Sequence, residues 1–198
     1  MPGHRDCLSR AFLLGAFALR LAWPAQGRAD PAEDERLWQL LAGGGQAVLV
    51  RHAVTTPGAG DPPGMRLDDC ATQRNLTDEG GAHARRLGAA FRARGIPLQR
   101  VLSSPWCRCL ETARLAFGAP ETWPPLGNLF GRPENREEQV ERMRELVSRR
   151  RGGGNLILVS HGSTISALTG VSPDTAEMVI LSPQGGGRFV VAGRLSVR

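Results

Sequence analysis

Residues 46–53 read Gln46-Ala47-Val48-Leu49-Val50-Arg51-His52-Ala53. The apolar run is too brief for a helix and rich in β-branched residues, so it predicts a buried strand. It ends abruptly in a cation and an imidazole, which such a strand delivers to the carboxyl edge of a sheet, where open α/β sheets bind ligands. Residues 155–161 repeat the design, an apolar run ending in His161 with Gly162 behind it. Residues 100–104 form a third short strand, finishing in the hydroxyls of Ser103 and Ser104.

Helical patterns separate these strands. Residues 31–41 carry Leu37, Trp38, Leu40 and Leu41 among charges and stop at three glycines. Thr77 is a plausible N-cap for a helix reaching about Arg94, with Asp78 and Glu79 in its first turn. Pro105 suits the first turn of a helix running to about Phe117, with Arg108 one turn in. Residues 134–151 predict a charged helix with the stripe Val140, Met143, Leu146 and Val147, residues 163–168 a further helix, and 178–181 and 188–195 two strands joined by a turn. Residues 53–75 and 118–132 are rich in Gly and Pro and read as loops. The first is long enough to suggest a functional role, since it leaves directly from the candidate site. The alternation predicts one α/β domain over residues 30–198, a three-layer sandwich with a mostly parallel central sheet and helices on both faces.

All 25 basic residues are Arg, and the chain has 25 Gly and no Tyr; this composition reflects coding bias as much as function. Residues 1–29 resemble a secretory signal, with Arg5 and Arg10 before the apolar run 11–19 and small residues at Gly27 and Ala29. An amphipathic or disordered tail is the competing reading; the run is too short for a membrane anchor. Removing residues 1–29 takes four Arg and one Asp from 25 basic and 19 acidic residues, leaving a net charge of +3. That mild charge and the 5% aromatic content argue against nucleic-acid binding. Arg149-Arg150-Arg151 reads as the solvated end of a helix. Export to the periplasm or beyond would leave Cys70, Cys107 and Cys109 in an oxidising compartment, and three is odd, so the expectation is one disulfide, Cys70 with Cys107 or Cys109, and one buried thiol. The spacing does not match a zinc finger. Stable membrane insertion after cleavage is not expected, and the sequence is silent on oligomeric state.

Three strands thus end in Arg51 and His52, in the turn leading to Arg108, and in His161. Two guanidiniums and two imidazoles at one edge make an oxyanion pocket, and Arg forks match phosphate oxygens. The expected partner is a small phosphorylated substrate. Four motifs then resemble the histidine phosphatase superfamily, the phosphoglycerate-mutase-like proteins. RHAVT at 51–55 is similar to RHGxT, and LTDEGGAHA from Leu76 to LTxxGxxQA. SSPWCRCLETA from Ser103 is similar to SSxxxRxxxTA, and VSHGSTISAL from Val159 to VSHGGxxxxL. The resemblance spans most of residues 46–170 and implies the phosphoglycerate-mutase-like fold.

It further implies that His52 is a nucleophile forming a phosphohistidine, with Arg51, Arg108 and His161 holding the phosphate, Thr55 and Gly162 beside it, and no metal or other cofactor. Neighbouring Arg charges would keep the imidazole neutral, as a nucleophile must be. The departures bear on mechanism. Many members carry an acidic proton donor two residues after a Leu; here Leu126-Gly127-Asn128 puts an amide there. Substitutes are Asp61, Asp68 and Asp69 in the long loop, and Glu134, each alone more often a turn or capping residue. Pro57 and Gly58 replace the Trp-Asn of the mutase branch, so hydrolysis is expected. Two substrate classes stay open. Small phosphohistidine phosphatases of the superfamily manage without the acid, whereas the DDC, TQRNL and WCRC segments resemble small exported members, some described as lipopolysaccharide heptose phosphatases. A non-catalytic phosphoanion-binding protein is the rival. Trp106 reads as core filling and His83 as boundary packing.

Overall fold

The computed structural model describes residues 30–150 and 152–197, together with Met1. Along the chain come helix α1 (Pro31–Ala42), strand β1 (Ala47–Arg51), α2 (Asp78–Ala93), β2 (Leu98–Ser103), α3 (Cys107–Phe117), β3 (Glu121–Thr122), α4 (Arg136–Ser148), β4 (Asn155–Ser160), α5 (Gly162–Thr169), β5 (Met178–Gly185) and β6 (Arg188–Leu195). Residues 1–29, where the signal is expected, lie outside the described residues apart from Met1. No helix among the described residues is long and apolar enough to cross a membrane.

The six strands form one sheet in the order β3-β2-β4-β1-β5-β6. β3, β2, β4 and β1 are parallel to their neighbours, whereas β5 is antiparallel to β1 and β6 to β5. Side chains alternate across the sheet and so sort the core into two layers. Val48, Val50, Ile157 and Val159 face α1, α2 and α3, packing with Leu37, Leu41, Leu87, Phe91 and Ala113. Ala47, Leu49, Leu156 and Leu158 face the other way, onto Met143 and Val147 of α4 and Ile165 and Leu168 of α5. This is the three-layer arrangement expected. Enclosing each large aliphatic side chain contributes roughly 1.5–3 kcal/mol, so β1 and β4 are the most firmly held strands.

Register carries the site. Arg51 pairs with Ser160, so β1 and β4 finish level and release His52 and His161 side by side. The chain beyond His52 is then held from two directions. Thr77 caps α2 as expected, accepting from the Gly80 amide at 3.0 Å, and the start of α2 presses on Val54. A Cβ at Gly80 would come within 2.1 Å of the Val54 carbonyl oxygen, so only glycine fits. From the other side the Ala176 amide reaches the carbonyls of Arg51 (3.1 Å) and His52 (3.3 Å). Ala176 adopts a left-handed φ of 57°, uncommon for a residue with a Cβ.

Several boundaries differ from expectation. α3 begins at Cys107, two residues after Pro105, because Trp106 is extended and the Gln73 side chain accepts from the Cys107 amide at 3.0 Å. Arg108 is therefore in the first turn and not one turn in. The charged helix expected over 134–151 is divided. Pro133–Asn135 forms a 3-10 turn, and α4 stops at Ser148, whose hydroxyl donates to the Glu145 carbonyl. The loop 118–132 contains β3, two exposed residues whose only signal is their pairing with β2. The long loop is tied down by the disulfide Cys70–Cys107, which decides between the two partners expected for Cys70 and leaves Cys109 a buried thiol.

Candidate active site

His52 is 5% exposed and stands at the floor of a cleft of about 400 Å³ beyond the carboxyl ends of β1 and β4. Its Nδ1 lies 2.9 Å from the Ala53 carbonyl oxygen. A carbonyl only accepts, so Nδ1 carries the proton and Nε2 presents a free lone pair. Burial pushes the imidazole pKa down to about 4; the charges of Arg108, Arg51 and Arg74 act in the same direction, while the bond to Ala53 opposes them. The imidazole is held neutral as expected, with one correction: loss of solvent is the larger cause and the arginines the smaller.

His161 packs edge-on to His52, ring centroids 5.4 Å apart. Its Nδ1 is 3.4 Å from Arg108 Nη2 and its Nε2 2.8 Å from Ser104 Oγ. The guanidinium only donates, so Nδ1 accepts and Nε2 donates to the serine. Burial, then the His52 and arginine charges, hold its pKa well below the ordinary histidine value. The Cys109 thiol lies 3.5 Å from the same Nε2, and burial pushes it up to about 12, an unreactive thiol.

Three arginines complete the cleft: Arg51 from the end of β1, Arg108 from α3 and Arg74 from the long loop. Arg51 donates to the Pro173 carbonyl at 2.8 Å, Arg74 to the Gly58 carbonyl and Arg108 to Asp61 at 2.6 Å. Each keeps one donor idle. Among the described residues, the buried side-chain polar atoms without a hydrogen-bond partner are the Nε atoms of Arg51, Arg74 and Arg108. Leaving a buried donor unmet costs about 1–3 kcal/mol, more for a charged group, and an oxyanion is the kind of partner that would offset it. Gly162 lies against the Arg51 guanidinium, where a Cβ would make an ordinary contact at 3.4 Å from Nε.

The cleft thus gathers Arg51, His52, Arg108, His161 and Gly162 as expected. Arg74 was not among the expected residues; its only sequence signal is the TQRNL segment. Thr55 is not in the cleft lining; its backbone bridges to Leu76 within the loop. Of the acidic candidates, Asp69 caps a 3-10 turn through the Ala71 amide and pairs with Arg66, and Asp68 is exposed beside the same Arg66. Glu134 sits exposed in the turn before α4, away from the cleft lining. Asp61 differs: its carboxylate takes Arg108 Nη1 at 2.6 Å and Trp106 Nε1 at 2.9 Å. Burial raises its pKa, but hydrogen bonds from Arg108 and Trp106 and the Arg108 charge outweigh this, and the net direction is down. Trp106 therefore both fills the core and orients Asp61. Asn128 lines the cleft and accepts from Ser163 Oγ at 2.9 Å. His83 binds the Val197 carbonyl, a boundary role as expected.

Residues 47–126 match the model of the histidine phosphatase superfamily (branch 1). No curated protein matches the chain by sequence. Solved structures share its fold. A Mycobacterium tuberculosis protein from the open reading frame Rv3214 has a TM-score of 0.57 at 19% identity, over 77% of this chain and 98% of that one. The protein histidine phosphatase SixA, complexed with tungstate, has 0.52 at 18%, over 76% and 96%. A phosphoserine phosphatase of Entamoeba histolytica, in complex with 3-phosphoglyceric acid, has 0.52 at 14%, over 69% and 89%. At such identities these structures speak to fold. The sequence match to that superfamily covers the segment that carries the first histidine and the arginine of α3, and the solved structures share the fold around it.

Proposed function

We propose that the protein is a metal-independent phosphatase that hydrolyses a phosphomonoester through a phosphohistidine on His52. The observation that carries this reading is one cleft lined by an imidazole whose Nε2 is free and by three arginines, each with a buried, unpaired Nε. Nε2 attacks phosphorus as the bond to the leaving oxygen breaks. The arginines meet the charge on the phosphoryl oxygens, and fixed guanidiniums in a water-poor cleft are worth more there than in solution. Water then attacks the phosphohistidine, releasing phosphate and restoring the lone pair. Para-nitrophenyl phosphate, which needs little protonation of its leaving group, tests this directly. Wild type should turn it over and take up label from a phosphorylated donor. Equal labelling of wild type and His52→Ala would sink the enzyme, and His52-independent behaviour throughout would leave a phosphoanion-binding protein.

Asn128 favours a second reading, a phosphohistidine phosphatase, because a phosphoramidate leaving group needs less help than an alcohol. Parallel assays with phosphohistidine and a sugar-phosphate panel separate the two. The rim hydroxyls of Ser163, Ser166 and Ser172 and the exposed ring of Phe130 support the sugar phosphate. We further propose that the protein works in an oxidising compartment, the periplasm or the exterior. The Cys70–Cys107 disulfide supports this, as do the signal-like residues 1–29. Cell fractionation, in which the protein should appear without residues 1–29, tests it.

A further inference from the structure

The phosphatase reading leaves one step without an agent, the protonation of the leaving oxygen, and the loop between β1 and α2 holds a carboxylate beside the arginines. Beside the cleft of about 400 Å³ lies a second hollow of about 470 Å³, lined by Asp61, Met65 and Arg132 among others; the two share Gly60 and Phe130 as a common wall. Asp61 lines the second hollow and binds Arg108 of the first, so an alcohol portion extending over that wall from a phosphoryl group on the cleft arginines would run past it. The carboxylate is not a surface group. Its side chain is 12% exposed, with Oδ1 fixed by Arg108 at 2.6 Å and Oδ2 by Trp106 at 2.9 Å. The Asn128 amide, which has no proton to give, adds a further hydrogen bond to the same carboxylate.

We propose that Asp61 is the general acid of this phosphatase, donating its proton to the leaving oxygen. The inference rests on the phosphatase reading above. In the first step the His52 Nε2 lone pair forms the N–P bond, the P–O bond breaks, and the Asp61 proton passes to the departing oxygen, so that a neutral alcohol leaves. In the second step water attacks phosphorus, its proton returns to Asp61, the N–P bond breaks, and inorganic phosphate leaves with Nε2 restored. Asp61 is thus reprotonated each cycle; the first proton arrives with the substrate monoanion. In the free protein Arg108 favours the carboxylate. A bound phosphoryl group shares that guanidinium and adds negative charge nearby, both of which favour the protonated form.

The test is the dependence of kcat/KM on leaving-group pKa, measured from para-nitrophenyl to alkyl phosphates for wild type, Asp61→Asn and Asp61→Glu. Loss of a general acid costs typically about 10²–10⁴-fold on a poor leaving group. Asp61→Asn should lose that much on alkyl phosphates and less than about tenfold on para-nitrophenyl phosphate, with Asp61→Glu recovering part of the difference. Equal losses on both substrates, or no loss on alkyl phosphates, would overturn the proposal. If Asp61→Asn does not fold, wild type still decides: a shallow dependence on leaving-group pKa supports an acid, and a steep one overturns it. Labelling of His52 is read in the same experiment. Its absence from wild type counts against the phosphatase reading, while its presence with flat Asp61→Asn losses counts against Asp61 alone.

Discussion

The cleft has two halves built by different means. One is borne by strands: Arg51, His52 and His161 follow directly from β1 and β4, and the pairing of Arg51 with Ser160 fixes their spacing. The other is borne by the loop between β1 and α2, where Arg74 reaches the cleft and Asp61 holds Arg108 from backbone with little regular structure. What holds that loop is a set of side-chain ties to α3 and the residue before it: the disulfide to Cys107, the Gln73 bond to the Cys107 amide, and the Asp61 bonds to Trp106 and Arg108. Backbone ladders set the two histidines and Arg51; side-chain ties set Arg74 and Asp61, the groups proposed to meet the developing charge and the leaving group. The two halves should therefore fail differently.

The largest effect belongs to the strand half. His52→Ala should lower turnover of para-nitrophenyl phosphate by roughly 10⁴-fold or more while leaving the fold intact, because it removes the proposed nucleophile. Single-turnover assays with a folded-state check by circular dichroism measure it. Retention of more than a hundredth of the activity would place the chemistry elsewhere.

The loop half should break through its tether. Replacing Cys70 and Cys107 by Ser opens a loop closed across 37 positions, worth roughly 4 kcal/mol by chain entropy. Urea denaturation should show that loss, with KM raised more than kcat is lowered. If KM is unmoved, the remaining ties suffice and the contrast between the halves is weaker than drawn here.

Acid should act on the strand half. The His52 pKa is about 4 in the folded protein against about 6.5 for an unfolded histidine. Between these values the unfolded chain binds more protons, so this stabilisation is complete above about pH 6.5 and is lost as pH falls toward 4. The span corresponds to about 3 kcal/mol, and His161 acts with the same sign. Denaturation midpoints at pH 7.5, 6 and 5 should fall in wild type and fall less in His52→Asn. Parallel curves would mean that burial does not keep this imidazole neutral.

The smallest effect sharpens the loop's role in chemistry. Arg74→Ala should reduce kcat/KM by roughly 10²-fold, the scale for removing one preorganised donor from a developing oxyanion. A loss confined to KM would make Arg74 a ground-state anchor only.

These contrasts mirror what could be read in advance. Val48 to His52 and Leu156 to His161 announced themselves because an apolar run that stops on a polar pair has few interpretations, and a parallel sheet then leaves one edge for both histidines. The partner of Cys70 stayed open because Cys107 and Cys109 are equally near in the chain. Residues two apart on a helix point roughly 200° apart, so one faces the loop and the other the His161 pocket, and only the rotation of α3 against the sheet says which. Asp61 and Asp69 likewise read as equivalent loop carboxylates until one met Arg108 and the other a turn amide. Arg74 carried no periodic signal at all.

By itself the sequence determined the layered α/β fold and the two histidines with Arg51 at one sheet edge, because hydrophobic period and strand length are local and sheet pairing leaves side chains little freedom. The tertiary structure alone decided that Cys107 takes the disulfide, that Arg74 joins the cleft and Thr55 does not, and that Asp61 is the carboxylate beside Arg108. Those outcomes depend on where an aperiodic loop meets a helix, and contacts between distant segments leave no repeat along the chain.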